Sequence, residues 1–166
     1  QPQLLARLEA VSRVRVVRLP HLTEEEGRAY LVDALGEKFP EKLSSHSIYE
    51  YTGGNLRFLK DVVENIRQGT EEYFQFLPDT ERAMERLFSG FCQEEYEYLE
   101  YLSVMEHGTD VQQLGSMLEE SPVKVMKVLD FLMRRRLLAE TDAGKHRMLK
   151  IREKMVRDMI YGRISR

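Results

Sequence analysis

Several features that mark common protein classes are scarce in this chain of 166 residues. It contains one cysteine, four scattered histidines and a net charge of −3. Because Cys92 is single, an internal disulfide is excluded, and with no cysteine or histidine at metal-ligand spacing we expect no metal site. The slightly negative charge also provides no overall attraction to nucleic acid or to an anionic membrane.

Long apolar runs are absent as well. No stretch approaches the roughly 18 to 20 residues that a membrane-spanning helix needs, and the N-terminal segment lacks the apolar core of a secretory signal peptide. We therefore expect a cytoplasmic protein without membrane contacts. What is present is a mixture of 32% charged and 42% hydrophobic residues, which is typical of globular domains.

Motifs of catalysis are missing too. The sequence has no Walker lysine loop, no dinucleotide-binding glycine fingerprint and no serine, cysteine or aspartate nucleophile beside a base. We expect no catalytic residues, no enzymatic activity and no cofactor bound by this chain alone. The acidic runs at 24–26, 94–95 and 119–120 are typical of solvated helix surfaces and first-turn caps.

The most informative stretch is a glycine pair followed by a helix cap. Gly53 and Gly54 allow the backbone to reverse sharply, and Asn55 is placed to cap the helix that follows. The helix dipole favours anions at this end, so the cation of Arg57 in the first turn indicates a negative partner nearby. An ordinary corner between two helices, with a solvated arginine, is the simpler interpretation. The apolar face of the helix comprises Phe58, Leu59, Val62, Val63 and Ile66.

The helical pattern predicts two units after a short leading segment. Residues 1–20 include a lone strand pattern, which is typical of the tail of a larger α/β domain upstream. Residues 21–72 form the first helical unit, which opens with a capping box between Thr23 and Glu26. Its predicted helices span 24–38, with Ala29, Tyr30, Val32 and Leu35 on the apolar face, then 41–51, then the helix after the glycine corner.

Residues 79–166 form the second unit, after a boundary between 70 and 80. Ser121 caps a helix that Pro122 opens, and a glycine turn at 142–144 joins two short strands. Helix, turn, helix and hairpin in this order predict a mainly α fold that ends in a winged helix with a β-hairpin wing. The predicted elements are helices from 79 and over 93–106, 110–119 and 123–135, strands at 137–141 and 145–149, and a closing helix at 151–164.

Basic residues gather in the second half of this predicted winged helix, from 124 to 152. If it binds DNA, Lys124 and Lys127 would face the major groove while Lys145 and Arg147 contact phosphates. The preceding helices are acidic, however, and would lie close to the same phosphate backbone, which opposes DNA binding. Winged helices also serve as protein-packing modules, so packing against protein is an alternative.

Taken together, the elements resemble the C-terminal parts of an AAA+ or STAND-type P-loop ATPase. The matched order is a strand and a Leu-Pro-x-Leu-Thr opening at 19–23, a small helical lid that ends in Thr-Gly-Gly-Asn at 52–55, and a winged helix. Bacterial STAND regulators of transcription, such as the LuxR-type large ATP-binding regulators, follow the winged helix with a motif similar to residues 151–161. The resemblance covers nearly the whole chain.

The resemblance implies a set of nucleotide-contacting residues in a longer parent protein, which would bind ATP or ADP with magnesium. The segment Gly54-Asn55-Leu56-Arg57 is similar to the Gly-x-x-Arg of AAA+ lids, whose arginine reaches the γ-phosphate. Glu153 stands where the STAND family has a histidine that senses nucleotide phosphate. Leu56 stands where that family has a proline that packs on the adenine.

The function implied is that of a regulatory fragment of a transcription-controlling ATPase. The lid and the winged helix would relay the nucleotide state of an upstream P-loop domain to a downstream sensor or effector region. One alternative is the DNA-binding winged helix of an origin-recognition-like ATPase, which predicts salt-dependent duplex binding. The other is a non-catalytic protein-interaction scaffold, which requires neither nucleotide nor DNA.

Overall fold

The computed structural model describes residues 20–143 and 146–164. Lys145 and residues 1–19 of the predicted leading segment, 1–20, therefore lie outside the described residues. The described chain is mainly helical, with one antiparallel sheet of two strands. None of its helices is both long and apolar enough to cross a membrane. The α-helices are Glu24–Leu35 (α1), Ser45–Thr52 (α2), Leu56–Gln68 (α3), Pro78–Phe88 (α4), Gln93–Val104 (α5), Val111–Leu118 (α6), Pro122–Arg134 (α7) and Lys154–Ile164 (α8); a 3-10 helix at Gly36–Lys38 follows α1, and the strands are Leu138–Ala143 (β1) and His146–Ile151 (β2).

Side-chain caps begin three helices where the sequence predicts them. Thr23 and Glu26 form the predicted capping box of α1, with the Thr23 amide 2.8 Å from a Glu26 carboxylate oxygen. Asn55 accepts a hydrogen bond of 3.1 Å from the Arg57 amide at the start of α3. Ser121 caps α7, which opens with a proline. Each cap satisfies an amide that the first helical turn leaves without an intrahelical partner.

The predicted apolar face of α1 is wrong in two of its members. The buried residues of this helix are Gly27, Leu31 and Leu35, whereas Ala29 and Val32 are exposed, Val32 to 62%. Positions 27, 31 and 35 stand four residues apart and therefore form one stripe along the helix. That stripe, shifted from the predicted one, packs against α2 and α3.

Three helix boundaries differ from the predicted ones by a few residues. α1 stops before Gly36, which adopts a φ of 50°, and only a 3-10 turn continues the helix. α2 begins at Ser45 instead of residue 41, because Ser44 takes the cap position. α8 begins at Lys154 instead of 151, because Ile151 is still part of β2.

The predicted hairpin is present and is longer than expected. β1 and β2 pair from Leu138 opposite Ile151 to Ala143 opposite His146. Thr109, which lies just before α6, adds an isolated antiparallel bridge to a residue of β2. α7 packs against both α6 and β1. Helix, helix and hairpin therefore occur in the predicted order and contact one another.

Two buried polar side chains of α3 hold the segment that joins α3 to α4. The Asn65 side-chain amide donates to two carbonyl oxygens of this segment, at 2.9 and 3.1 Å. The Asp61 carboxylate accepts a hydrogen bond of 3.2 Å from the Leu77 amide and one of 3.1 Å from the Thr80 hydroxyl. The predicted boundary between the two units thus falls on a segment that is fastened to the first unit.

The hydrophobic core continues through both predicted units. α8 packs against α5 of the second unit and against α2 of the first. Tyr51 of α2 also stacks on Phe74 of the joining segment, with ring centroids 3.9 Å apart. Fully buried members of this core include Ile48, Leu59, Leu99, Leu102, Leu132 and Ile160.

Candidate functional site

The predicted glycine corner is a tight turn between α2 and α3. Gly53 and Gly54 have φ angles of 57° and 72°. A Cβ on Gly54 would lie 2.1 Å from the carbonyl oxygen of Leu22, whose amide donates to the Gly54 carbonyl at 2.9 Å. The positive φ and this backbone contact together restrict position 54 to glycine. The corner is thus joined directly to the segment that precedes α1.

Glu153, just before α8, packs on this corner. Its Cγ is 3.1 Å from the position that a Cβ on Gly53 would take, and the residue is only 3% exposed. His21 completes the cluster, because its Nδ1 donates to the Gly53 carbonyl oxygen at 3.1 Å and lies 3.6 Å from Glu153 Oε1. Two predicted elements of the site that are far apart in sequence, the corner and Glu153, therefore lie together.

Burial governs the ionisation of this cluster. Removal from water raises the pKa of Glu153 to about 7, and the nearby Arg152 guanidinium opposes that rise. Burial lowers the pKa of His21; its hydrogen bond to the Gly53 carbonyl opposes this effect, and the charges of Arg152 and Arg136 add to it. Burial thus favours the neutral form of both groups, the unprotonated imidazole and the protonated carboxyl.

Arg57 and Leu56 lie on a different surface. Both are exposed, and no contact among the described residues joins Arg57 to Glu153. Arg57 faces an open cleft of about 480 Å³, which is also lined by Asp79, Arg82 and Arg86. Asp79 already pairs with Arg82, and no carboxylate in the described part of the chain lies at ion-pair distance from Arg57. The predicted nucleotide contacts thus divide into a buried cluster at the corner and an exposed arginine beside it.

The predicted DNA-contacting residues carry charges that are compensated to different degrees. Lys124 Nζ lies 2.7 Å from a carboxylate oxygen of Glu94 and also pairs with Glu120. The hydrogen bonds that Lys124 donates to these two carboxylates, with the one to Glu120 as the larger cause, raise the pKa of Lys124. Arg147 Nε lies 3.9 Å from a carboxylate oxygen of Glu140. The positive charge of Lys124 is therefore offset within the protein itself.

Apolar side chains accompany the other predicted lysine on the exposed face of α7. Lys127 is exposed and has no hydrogen-bond or ion-pair partner within the part of the chain that the structure describes. Its neighbours Val123 and Met126 are 67% and 50% exposed. Adjacent exposed apolar groups are characteristic of protein-contact surfaces, whereas phosphate contacts use charged and hydrogen-bonding groups.

Three polar residues that organise this region were not predicted. Asp61 and Asn65 stand four residues apart within the apolar stripe of α3, and a polar residue at a core position is the signal that would have identified them. Burial raises the pKa of Asp61, and its hydrogen bonds to the start of α4 oppose that rise. No local pattern points to His21, because its partners lie on distant segments.

The described residues contain no cluster of metal-ligating side chains. No group of three histidine, cysteine, aspartate or glutamate side chains within 20–143 and 146–164 is placed to hold a metal ion. Comparison of the chain with family models, with curated proteins and with solved structures finds no match. Function is therefore inferred from the residues and their geometry.

Proposed function

We propose that this chain is a regulatory, signal-transducing part of a STAND- or AAA+-type ATPase that controls transcription. Residues 21–72 are the helical lid and residues 79–166 are the winged helix. ATP or ADP with magnesium binds in a parent protein whose P-loop domain lies upstream. The lid and the winged helix pass the nucleotide state to a downstream sensor or effector region, and the chain itself catalyses no reaction.

The contact between the glycine corner and Glu153 carries this proposal. Because the Glu153 side chain packs against Gly53 and is buried, a change of angle at the corner displaces the start of α8. α8 in turn packs on α5, so the movement reaches the core of the second unit. This chain of contacts supplies what a relay requires, a hinge in one unit that is mechanically coupled to the other. Glu153 acts in it as a buried coupling residue.

The exposed arginine beside the corner supports nucleotide contact by the parent. Among the described residues, Arg57 shares its cleft with Arg82, Arg86 and the carboxylate of Asp79, and its charge also acts on the Asp61 carboxyl. A terminal phosphate held there by the P-loop domain would gain a charge-assisted hydrogen bond of about 1.5 to 3 kcal/mol. In the isolated chain the cleft is open to water, so screening leaves only weak nucleotide binding.

The test compares Arg57→Ala with Arg28→Ala in the parent protein. Arg28 is an exposed arginine of α1 and controls for the loss of one surface charge. Arg57→Ala should lower ATP affinity or turnover by about ten- to a hundredfold, while Arg28→Ala leaves both unchanged. Equal behaviour of the two variants, or loss of the fold in Arg57→Ala, would show that Arg57 has only a structural role.

A second candidate, a protein-interaction module, is favoured by the exposed face of α7. Val123 and Met126 present apolar surface there, and Lys124 is held by two carboxylates of its own chain. A helix that reads DNA would instead present uncompensated donors. Within the relay, this face is where a downstream protein region would pack.

A further inference from the structure

A polar cleft of about 260 Å³ lies beside the corner, where α2, the loop after α5, the end of β2 and the start of α8 meet. Four cationic side chains line it: Lys150, Arg152, Lys154 and Arg157. They come from one short segment, and α2 and the loop after α5 form the other side of the cleft. The cleft is half open, because Arg152 is exposed and the other three cations are half-buried.

Three of these four cations have no ion-pair partner among the described residues, although the charge of Arg152 acts on the buried Glu153 carboxyl beside it. Within the described residues, no carboxylate lies at ion-pair distance from Lys150, Arg152 or Lys154. Lys154 Nζ rests 4.4 Å from the centre of the Tyr51 ring, and this contact holds the side chain without neutralising it.

The Arg152 guanidinium is held in place by backbone acceptors. Its Nε donates to the Arg136 carbonyl at 3.1 Å, and its Nη2 donates to the Leu138 carbonyl at 3.1 Å. Neutral carbonyl oxygens orient the group but carry no full charge. The remaining donors of its planar fork stay available to an anion.

The acidic groups of the cleft offset only part of this charge. Glu106 lies 3.5 Å from Arg157, which also pairs with Asp158 at 2.8 Å. The other carboxylate in the lining, Glu50, has a side chain that is 65% exposed and lies 3.9 Å from His46. Both Glu50 and Glu106 are mostly exposed, so water screens their charges.

We propose that this cleft binds a small phosphate-bearing molecule. A phosphate group carries about two negative charges near neutral pH and offers three acceptor oxygens, which matches several cationic donors that converge from one side. The cleft is slightly smaller than the roughly 300 Å³ at which pockets for drug-sized ligands begin, so the ligand is a compact phosphate ester or a diphosphate. The proposal goes beyond the nucleotide contact at Arg57, which lies on another surface and requires the parent protein.

The site would regulate the relay, because its cations adjoin the hinge. The Arg152 Cγ lies 3.8 Å from the position of a Cβ on Gly53, and Lys154 begins α8. A phosphate bound between α2 and α8 would fasten the corner to the closing helix. Ligand binding would thus stabilise the folded arrangement by mass action.

The test is calorimetric titration of the chain with inorganic pyrophosphate at pH 7.5, at constant ionic strength. Lys150→Gln and Lys154→Gln remove one cleft charge each, and Lys127→Gln is the matched control on α7. We expect saturable binding that each cleft variant weakens by about tenfold and that the control leaves unchanged. Circular dichroism of each variant verifies that the fold is kept.

Two results would overturn the proposal. One is the absence of saturable pyrophosphate binding to the wild-type chain up to about 10 mM, which is weaker than any useful affinity. The other is equal weakening by Lys127→Gln and by the cleft variants, since this would reveal only general attraction to surface charge. The parent's response to Arg57→Ala does not enter either result, so the two proposals fail independently.

Discussion

Two basic regions of this molecule differ in what surrounds their charges. At the start of α7, Lys124 is held between Glu94 and Glu120. At the junction of β2 and α8, Lys150 and Lys154 have no carboxylate partner among the described residues. Both regions belong to a single basic stretch of the sequence. A count of charges along the chain therefore does not reveal which cations remain free to act.

The difference arises from packing between segments that are distant in sequence. α5, which carries Glu94, lies against α7 and brings an acid to Lys124. The junction of β2 and α8 instead meets backbone carbonyl oxygens and the ring of Tyr51, which orient cations without cancelling them. A basic helix that is compensated in this way is suited to packing, whereas the junction is suited to binding an anion.

The largest expected effect is a loss of stability at the glycine corner, which lies beside the basic junction of β2 and α8. Gly54→Ala would place a Cβ 2.1 Å from the Leu22 carbonyl oxygen at a φ of 72°. Gly69→Ala is a matched control, because Gly69 has a φ of 71° with nothing within 4 Å. Both variants carry the backbone strain of about 1 to 2 kcal/mol, and Gly54→Ala should lose at least about 2 kcal/mol more of unfolding free energy. Equal losses in urea denaturation would contradict the tight corner.

The next effect is the pH dependence that Glu153 introduces. Its pKa in the folded state is about 7, above the ordinary value of 4.5, so the folded state holds the proton more tightly. The resulting stabilisation is fully present below about pH 4.5 and is lost as the pH rises through about 7. Glu153→Gln should therefore stabilise the chain by about 3 kcal/mol at pH 8 and by much less at pH 5.

The control for this measurement is His21, the half-buried histidine of the same cluster. The pKa of His21 is lowered by burial, so protonation of His21 destabilises the chain as the pH falls, with the opposite sign. His21→Gln should therefore leave the loss of stability between pH 6 and 8 in place. If Glu153→Gln also retained that loss, another group would be its source.

A smaller effect is expected beside the compensated lysine. The hydroxyl of Tyr98 is buried without a hydrogen-bond partner among the described residues. Since an unsatisfied buried polar group is unfavourable, Tyr98→Phe should stabilise the chain by about 1 kcal/mol in thermal unfolding. Tyr101→Phe, at a tyrosine that is 38% exposed, should change nothing. Destabilisation by Tyr98→Phe would show that the hydroxyl has a partner, such as a bound water.

The smallest expected effect is on DNA binding by Lys124, the cation of the compensated region. Because the charge of Lys124 is offset internally, Lys124→Gln should change the affinity for duplex DNA by no more than about twofold at about 0.15 M salt. The wild-type affinity itself should be weak and independent of sequence. Sub-micromolar binding to a defined duplex that Lys124→Gln abolishes would instead establish α7 as a DNA-reading helix.

Local signals in the sequence predicted the local structure of this chain well. The capping box at Thr23, the Asn55 cap and the serine-proline start of α7 depend on neighbours within a few residues, and all three are present. The prediction of the apolar face of α1 was wrong because Leu31 and Val32 are adjacent and both strongly apolar. Only the packing of the whole bundle selects between them.

Contacts between distant segments were beyond the sequence patterns. No residue near Lys124 in the sequence indicates that it pairs with Glu94, and none near Glu153 indicates that it contacts Gly53. These pairings depend on how helices pack, which periodicity does not specify. The nucleotide relay and the winged-helix assignment, which derive from a family resemblance, remain predictions.

The most direct test of the relay is hydrogen exchange in α8 of the parent protein, compared between its ATP-bound and ADP-bound states. The proposed nucleotide contact Arg57 lies on α3, so a difference in α8 that depends on Arg57 reports what reaches α8 through the corner and Glu153. We predict that the protection of α8 differs between the two states and that this difference is lost in Arg57→Ala. Identical protection of α8 in both states, alongside a change in α3, would show that the lid moves without the closing helix and would contradict the relay.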